Sequence, residues 1–596
     1  MTQTMADSIE QQNLFSQSDR DVTAFKATSD NDLGESDEDQ EHTAHLSIQD
    51  RMRHPVAFWS EMCGDVMHFG QAMKQPDSHK FLEAVVKEVN GHVDNQNFKL
   101  IRRSEVPEGE PIQQSVWAMR RKRNLTTGEI VKHKARLNLH GGMQEFGVIY
   151  YATYSPVVTW FAIRLMIVFA ILFNRAMRQV DFVMAYPQAP IEMDMYMELP
   201  QGIQTKHGNS KDHVLKVLRN IYGQKQAGRV WNQFLTSKLL EVGFTQSLVD
   251  DCVYYRGNTI FIVYVDDGIF IGDSDEHLIG TISELQNLGL KIEDQGHPAD
   301  YVGVNIKKLA SGGFEFTQRA LIESIISDVG VAGTPSKPVP AKANVVLTAS
   351  KDQPKFALPF DYRSVTGKLN YLAQTSRPDI MYAVHQIARF SANPREPHGE
   401  AVLYLARYLM KTRLLGIRFQ PDPTKGFECY CDADFSGNWN KSLAARDPAT
   451  SKSRSGWIIF YAGCPIIWAS KLQSQVALST TEAEYIALSM SLLDVLPIMF
   501  LLKEMRERGH EVICTEPHVF CKVFEDNSGA LELACLPKLR PRTKHINVCY
   551  HHFREHVRSR LVKIYPVSTH DQVADTLTKA LSQNAFQQHR RAMCGQ

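Results

Sequence analysis

Two apolar runs near the middle of the chain enclose a pair of acids. Residues 261–265 and 268–271 consist mainly of β-branched and aromatic side chains, and Asp266 and Asp267 stand between them. Runs of this length and composition predict two buried strands, and the acids between them predict a tight hairpin turn. We therefore expect two adjacent carboxylates at the tip of a rigid β-hairpin.

A second short strand pattern, residues 177–186, contains a single acid, Asp181. Two like charges side by side are costly unless solvent or a cation neutralises them, and Mg²⁺ prefers carboxylate oxygen. Asp181, Asp266 and Asp267 together could hold two metal ions about 3.5–4 Å apart, one activating a hydroxyl and one holding a triphosphate. For the Asp pair alone, an acidic β-turn without metal is the alternative.

Helical periodicity predicts helices on both sides of these strands. Residues 81–89 and 231–244 repeat apolar side chains at three and four positions. The longest apolar run, 157–173, is short for a bilayer and contains Arg164, so it predicts a buried helix and no membrane partner.

Length and composition indicate several globular units. The 596 residues are too many for one core and suggest three to five domains, and 43% hydrophobic with 22% charged residues is ordinary for a globular protein. Residues 1–50 are acidic and poor in large apolar groups, which predicts a disordered leader or linker. The ten cysteines show no repeated Cys-x-x-Cys pair and no signal peptide opens the chain, so we expect free thiols and no secretion.

Charge is balanced overall but unevenly distributed. The 66 basic and 66 acidic residues cancel, which argues mildly against a nucleic-acid enzyme, yet basic residues cluster at 102–103, 120–123 and 540–544. Residues 115–137 predict a basic β-hairpin around a Gly turn, whose cations can meet phosphates. A solvated basic strand edge is the alternative.

A second series of acids follows Pro421, where short strands and helices alternate. Asp432 ends a strand, Glu484 lies in the first turns of a helix, Asp526 follows another strand and Asp575 lies in a last helix. Asp434 competes with Asp432, and Glu482 with Glu484, although capping the helix is the simpler role for Glu482.

The sequence Tyr264-Val265-Asp266-Asp267, with Asp181 upstream, resembles reverse transcriptase, and more narrowly the copia type of long-terminal-repeat retrotransposons. The resemblance implies an α+β multidomain fold. It comprises the fingers and palm of a right-hand polymerase at 51–310, a thumb and connection at 311–425, and an α/β ribonuclease H-like domain at 426–596.

The same resemblance implies roles for individual residues. Lys134 and Arg136 would contact the triphosphate, Gln226 would line the nucleotide pocket, and Tyr186 would exclude a 2′-hydroxyl, with an ordinary core aromatic as the alternative for Tyr186. The sequence departs from the family at two places. Gly228 stands where the family usually has Pro, and residues 137–142 lack the usual Arg-Gly.

Asp432, Glu484, Asp526 and Asp575 resemble the ribonuclease H series, which implies a second metal pair that cuts the RNA of an RNA–DNA hybrid. Residues 542–547 resemble a family segment that would meet nucleic-acid phosphates.

The resemblance thus implies an RNA-directed DNA polymerase with hybrid ribonuclease activity, as a portion of a longer polyprotein. Mg²⁺ is the expected cofactor, with Mn²⁺ as an alternative, and the expected partners are an RNA template, a DNA primer, the RNA–DNA hybrid and dNTPs. The expected location is a cytoplasmic particle or the nucleus. A decayed copy that binds nucleic acid without catalysis is the rival hypothesis, and a DNA-templated polymerase is a third.

Overall fold

The computed structural model describes residues 22–23, 65–124, 129–144, 150–205, 210–442, 444, 447–513, 519–536 and 548–596. Three sequence predictions fall outside these ranges: the turn of the basic hairpin at 126–128, the segment 542–547, and the disordered leader 1–50 apart from Val22–Thr23.

The strands are β1 Val22–Thr23, β2 Val66–His68, β3 Phe98–Arg102, β4 Ile112–Gln113, β5 Ser115–Arg123, β6 Ile130–Leu139, β7 Ala176–Phe182, β8 Pro190–Glu198, β9 Gln204–Thr205, β10 His213–Arg219, β11 Thr245–Gln246, β12 Val253–Arg256, β13 Thr259–Tyr264, β14 Asp267–Gly272, β15 Ile292–Gly296, β16 Asp300–Tyr301, β17 Val304–Lys308, β18 Phe314–Thr317, β19 Ile417–Phe419, β20 Phe427–Asp434, β21 Arg454–Tyr461, β22 Cys464–Leu472, β23 Cys521–Glu525 and β24 Val562–Pro566.

The α-helices are α1 Phe69–Ala72, α2 Ser78–Asp94, α3 Trp160–Leu172, α4 Ala185–Gln188, α5 Ala227–Glu241, α6 Asp275–Asn287, α7 Arg319–Val329, α8 Tyr362–Thr375, α9 Met381–Ala388, α10 Glu396–Lys411, α11 Thr480–Glu507, α12 Ser528–Cys535, α13 Arg554–Arg558, α14 Asp575–Thr578 and α15 Gln583–Met593.

A six-stranded sheet, which we call the central sheet, has the order β11-β12-β13-β14-β7-β15. All six residues of β13 are buried, and helix α3 contributes to the same core. The predicted hairpin is present, but its turn is Val265-Asp266, so Asp267 is already the first residue of β14. The apolar run around Arg164 is a buried helix, as its pattern predicts.

The basic hairpin forms the sheet β2-β5-β6, and its strands show the period of two that a half-buried sheet requires. Ala135, Leu137 and Leu139 of β6 are buried, whereas Lys134 and Arg136 alternate with them and are exposed. Another sheet of order β3-β10-β8-β4 shares the apolar core of this hairpin.

Helices α7 to α10 form a separate helical core, to which Phe586 of α15 also belongs. The small sheet β16-β17-β18-β19 joins residues 300–317 with residues 417–419. Strand pairing and burial therefore connect elements on both sides of residues 310 and 425, and the domain boundaries stay a prediction.

A five-stranded mixed sheet, the C-terminal sheet, has the order β22-β21-β20-β23-β24. Strand β20 runs antiparallel to β21 and parallel to β23. Helix α11 packs on this sheet; among the described residues it alone is long and apolar enough to cross a membrane, but 67% of its most apolar window is buried within the fold. Burial of that extent is what a core helix shows.

Two candidate metal centres

The first carboxylate cluster consists of Asp181, Asp266 and Asp267 at one end of the central sheet. Asp181 near the end of β7 lies directly opposite Asp267 in the β7–β14 register. Asp266 is next to Asp267 in the hairpin turn, and all three side chains are half-buried. The expected approach of Asp181 to the hairpin is thus present as strand pairing.

The hairpin turn is held in a strained conformation. Val265 has φ = 57°, which for a β-branched residue costs on the order of 1–3 kcal/mol. The indole Nε1 of Trp231 donates to the Val265 carbonyl at 2.7 Å, and the Tyr301 hydroxyl donates to the Asp267 carbonyl at 3.3 Å. These two contacts fix the backbone that presents both acids.

The three carboxylates of the first cluster repel one another. Burial, and then the charges of Asp266 and Asp181, raise the pKa of Asp267 to about 7. Burial and Asp266 also raise the pKa of Asp181, against which Lys134 acts. A divalent cation among these oxygens would relieve the repulsion and lower both pKa values, so the donor set fits a hard cation.

Lys134 and Arg136 face this cluster from β6. Lys134 is exposed along its strand, but the surrounding protein atoms partly desolvate its ammonium group. This desolvation and the neighbouring Arg136 lower the pKa of Lys134, whereas the charge of Asp181 raises it. The guanidinium of Arg136 lies 3.8 Å from the centroid of the Tyr222 ring, which in turn lies 4.8 Å from the ring of Tyr186. The structure therefore brings three of the predicted substrate-binding residues to one cleft.

Tyr186 occupies the floor of that cleft. It is half-buried on the short helix α4, two residues after Met184, whose φ of 51° is left-handed, and burial and then Asp266 raise its pKa to about 12. A Cβ added at Gly228 would lie 3.7 Å from the Tyr186 hydroxyl, so α5 closes the cleft on that side.

Gln226 is buried at the start of α5. Its side chain is only 2% exposed, and its Oε1 accepts a hydrogen bond from Gln144 at 3.2 Å. Gln144 also accepts a hydrogen bond from the Lys225 backbone at 2.7 Å. Gln226 is thus held by Gln144 beside the first turn of α5, and its role in the nucleotide pocket stays a prediction.

The second carboxylate cluster lies at the C-terminal sheet and draws on four elements. Asp432 of β20, Glu484 of α11 and Asp526 after β23 each offer an oxygen within 4.8 Å of the others. Among the described residues, this is the group of acids that meets that spacing. Asp575 of α14 lies beside it and forms an ion pair with Lys579 at 2.7 Å.

This cluster is more deeply buried than the first. Asp432 is 2% and Glu484 7% exposed. Burial raises the pKa of Asp432 to about 7, and Asp575 adds to this while Lys579 opposes it. Burial, and then Glu525 and Asp432, raise the pKa of Glu484 far above its ordinary value.

One buried carboxylate oxygen in the second cluster is evidence for a bound cation. Oε2 of Glu484 has no hydrogen-bond partner although it is inaccessible to solvent. An unpartnered buried carboxylate oxygen is costly, and a divalent ion held by Asp432, Glu484 and Asp526 would satisfy it. Oxygen ligands of this kind suit Mg²⁺ or Mn²⁺.

The two competing acids have other surroundings. Glu482 accepts a hydrogen bond from the Leu478 backbone at 2.7 Å at the start of α11, the capping role expected of it. Asp434 is half-buried at the end of β20, outside the three-residue group.

Several residues of these centres carry no strong sequence signal. In the sequence, Trp231 is one apolar position of a predicted amphipathic helix. Its hydrogen bond to the Val265 carbonyl depends on tertiary packing. Glu525 is a fully buried acid beside Asp526, and it accepts a hydrogen bond from the Asn527 backbone at 3.1 Å. The sequence did contain one indication of an ion pair between Lys579 and Asp575, because Lys579 follows Asp575 by four residues.

Comparison with known proteins identifies the class. Residues 95–343 match the family described as reverse transcriptase (RNA-dependent DNA polymerase). This part of the chain is similar to reverse transcriptases, as the residues around Asp266 and Asp267 predict.

Its relatives are Pol polyproteins of copia-like transposons, which confirms the copia-type resemblance. The retrovirus-related Pol polyprotein from transposon RE1 of Arabidopsis thaliana is 33% identical over 530 residues, 87% of this chain and 34% of that polyprotein. The one from transposon TNT 1-94 of Nicotiana tabacum is 29% identical over 531 residues, with 87% and 38% covered. The chain therefore spans about a third of the length of these curated relatives.

Among solved structures, the foamy viral protease-reverse transcriptase dRH in complex with double-stranded DNA matches 82% of this chain and 69% of its own, with a TM-score of 0.46 and 11% identity.

Proposed function

We propose that this chain copies RNA into DNA at the first carboxylate cluster and cuts the RNA strand of the resulting hybrid at the second. The observation that carries the proposal is the pairing of Asp181 with Asp267 beside Asp266, in a chain that is similar to reverse transcriptases. Three carboxylates on adjacent strands are what nucleotidyl transfer with two divalent ions needs.

The layout of the chain supports a right-hand polymerase. The central sheet serves as the palm, the β2-β5-β6 hairpin as the fingers, helices α7 to α10 as the thumb and connection, and the C-terminal sheet with α11 as the ribonuclease H-like domain. The cleft between the fingers and the palm is where the primer end and the incoming dNTP meet on an RNA template.

In synthesis, the 3′-oxygen of the primer bonds to the α-phosphorus of the dNTP, the bond to the pyrophosphate oxygen breaks, and the hydroxyl proton passes to solvent. Divalent ions held by Asp181, Asp266 and Asp267 would activate the hydroxyl and neutralise the triphosphate. Lys134 and Arg136 bind phosphate oxygens from the fingers side.

Tyr186 selects the sugar by its position. Its ring packs against Tyr222, and the charge of Asp266 is close enough to raise its pKa. A nucleotide seated on this ring would have no room for a 2′-hydroxyl. Gln226, braced by Gln144, holds the start of α5 that closes the pocket.

In hybrid cleavage, the oxygen of a water molecule bonds to phosphorus and the bond to the 3′-oxygen breaks. One proton of the water ends on that oxygen, leaving 3′-hydroxyl and 5′-phosphate ends. Asp432, Glu484 and Asp526 would hold a cation, Mg²⁺ or Mn²⁺, that activates the water. We propose a cytoplasmic particle or the nucleus as the place where the chain acts.

The test is extension of a DNA primer on an RNA template of mixed sequence by the purified full chain with Mg²⁺. We expect a DNA product whose sequence is the complement of the template, and its loss when Mg²⁺ is chelated. Template-bound protein without product would favour a decayed copy that only binds nucleic acid.

A second arm replaces the RNA template by DNA of the same sequence. Product on DNA alone would instead favour a DNA-templated polymerase.

A further inference from the structure

The second carboxylate cluster contains a positive charge of its own. Nζ of Lys579 lies 2.7 Å from an oxygen of Asp575 and 3.8 Å from Oδ2 of Asp432. Lys579 directly follows the one-turn helix α14, and its backbone N–H donates to the Asp575 carbonyl at 3.1 Å, which brings its side chain back to Asp575. The ammonium group thus lies between two of the four acids that the sequence resemblance assigns to metal binding.

One oxygen of Asp432 already has two partners within the chain. Oδ2 accepts a hydrogen bond from the Thr578 hydroxyl and faces Lys579. The convergent group of oxygens within 4.8 Å comprises Asp432, Glu484 and Asp526 and does not include Asp575. One cation position is therefore formed by three acids. The remaining acid, Asp575, pairs with Lys579 through its buried Oδ1, although this ion pair lacks the geometry of a hydrogen bond.

A second divalent ion between Asp432 and Asp575 would compete with this ammonium. Mg²⁺ binds oxygen at about 2.0–2.1 Å and demands nearly octahedral geometry. The ion and the ammonium would contact the same two carboxylates, and their positive charges would repel each other at close range in a largely buried site.

We propose that this cluster takes one divalent cation, held by Asp432, Glu484 and Asp526, and that Lys579 supplies the second positive charge from between Asp432 and Asp575. This inference rests on the proposed hybrid-cleaving function of the cluster. A fixed ammonium beside the reacting phosphate stabilises the negative charge that develops during hydrolysis without a second bound ion.

The direct test counts bound Mn²⁺ by titration calorimetry on the full chain. The first cluster is removed by Asp266→Asn with Asp267→Asn, and a further Glu484→Gln variant provides the baseline for unrelated binding. In the first-cluster variant we expect one Mn²⁺ per chain above the baseline. Adding Lys579→Met should raise the count to two, because the vacated carboxylates can then accept an ion.

Two controls separate charge from folding. Lys579→Arg keeps a cation and should keep the count at one. Lys503 lies on α11, 19 residues beyond Glu484, or ~28 Å along the helix. Lys503→Met should therefore also leave the count at one Mn²⁺ per chain. Circular dichroism and thermal melting establish that each variant is folded.

Hybrid cleavage gives a second readout in the chain with an intact first cluster. Lys579→Met should cut hybrid about 100-fold more slowly at low Mg²⁺ and recover as Mg²⁺ is raised, a rescue that a purely structural defect would not show. Two Mn²⁺ before any change at Lys579 would overturn the proposal. So would a count that stays at one in Lys579→Met together with unchanged cleavage.

The count does not depend on turnover, so the two hypotheses fail separately. A count of one that rises to two, in protein that cuts no hybrid, would refute the proposed hydrolysis and leave the cation arrangement standing.

Discussion

The two carboxylate clusters differ in their burial and in the source of the positive charge that balances them. The first lies on neighbouring strands of one sheet, is half-buried, and faces cations that come from a different sheet across a cleft. The second is assembled from four elements, is mostly buried, and contains Lys579 and Thr578 within its own structure. The first centre therefore depends on its substrate and metal for charge balance, whereas the second is partly balanced by the chain.

The largest predicted difference comes from Glu484, which only the second centre uses. Glu484→Gln should lower hybrid cleavage by at least about 100-fold and leave DNA synthesis on an RNA template within about twofold. Both activities are measured on the same preparation.

The matched control is Glu482→Gln, two residues earlier on α11. It disturbs the helix start and should cost about 0.5–2 kcal/mol of stability without a comparable loss of cleavage. Equal losses of cleavage in the two variants would mean that the helix start, and no specific acid, matters.

Tyr186 tests the selectivity of the first centre. Tyr186→Ala should increase incorporation of ribonucleotides relative to deoxynucleotides on the order of 10–100-fold, because the ring that blocks the 2′-hydroxyl is gone. Single-nucleotide incorporation kinetics measure the ratio.

Tyr222→Ala is the comparison variant, since it removes the ring behind Tyr186 and the support of Arg136. It should mainly raise the KM for every nucleotide. A sugar preference that is unchanged in Tyr186→Ala would exclude the steric gate.

Both clusters should make the metal-free protein less stable as pH rises. The folded pKa values of Asp267 and Asp432, about 7, lie above the ordinary value of 3.8. The folded state therefore binds more protons than the unfolded state between about pH 4 and pH 7, and stability falls as pH rises through that window. Melting temperatures in chelator across this range measure the effect.

Mg²⁺ should oppose this loss, because it binds the ionised carboxylates of the folded state. We expect it to raise the melting temperature by several degrees at pH 7 and little at pH 4.5. A metal-free melting temperature that rises steadily from pH 4.5 to pH 7, in a variant series that includes Asp267→Asn and Asp432→Asn, would contradict the assigned repulsion.

The smallest expected effect concerns the strained hairpin turn. Trp231→Phe removes the hydrogen bond to the Val265 carbonyl, which is worth about 0.5–1.5 kcal/mol. DNA synthesis should fall severalfold while hybrid cleavage stays unchanged. A parallel loss of both activities would show that the substitution unfolds the core instead.

Local patterns predicted the elements well where a single stretch determines them. The hairpin that carries Asp266 and Asp267, the buried helix around Arg164 and the capping role of Glu482 all follow from nearby residues. The grouping of Asp181 with Asp266 and Asp267 came from the chemistry of a shared metal site and from the family resemblance, because periodicity does not specify which strands become neighbours.

Contacts between distant segments could not be read in this way. Arg164 donates to the Ile466 carbonyl at 2.7 Å and to the Thr375 carbonyl at 3.0 Å, which joins the central sheet to the helical core and to the C-terminal sheet. The burial of Gln226 and the position of Lys579 depend on such packing too. The tertiary fold determines the positions of such side chains, and local periodicity does not predict their contacts.

The most direct measurement is primer extension on poly(rA)/oligo(dT) by the wild-type chain, Asp266→Asn and Asp526→Asn under identical conditions. We predict full synthesis by the wild type and by Asp526→Asn, and a loss of product in Asp266→Asn. Synthesis that survives in Asp266→Asn would contradict a catalytic role for the cluster of Asp181, Asp266 and Asp267.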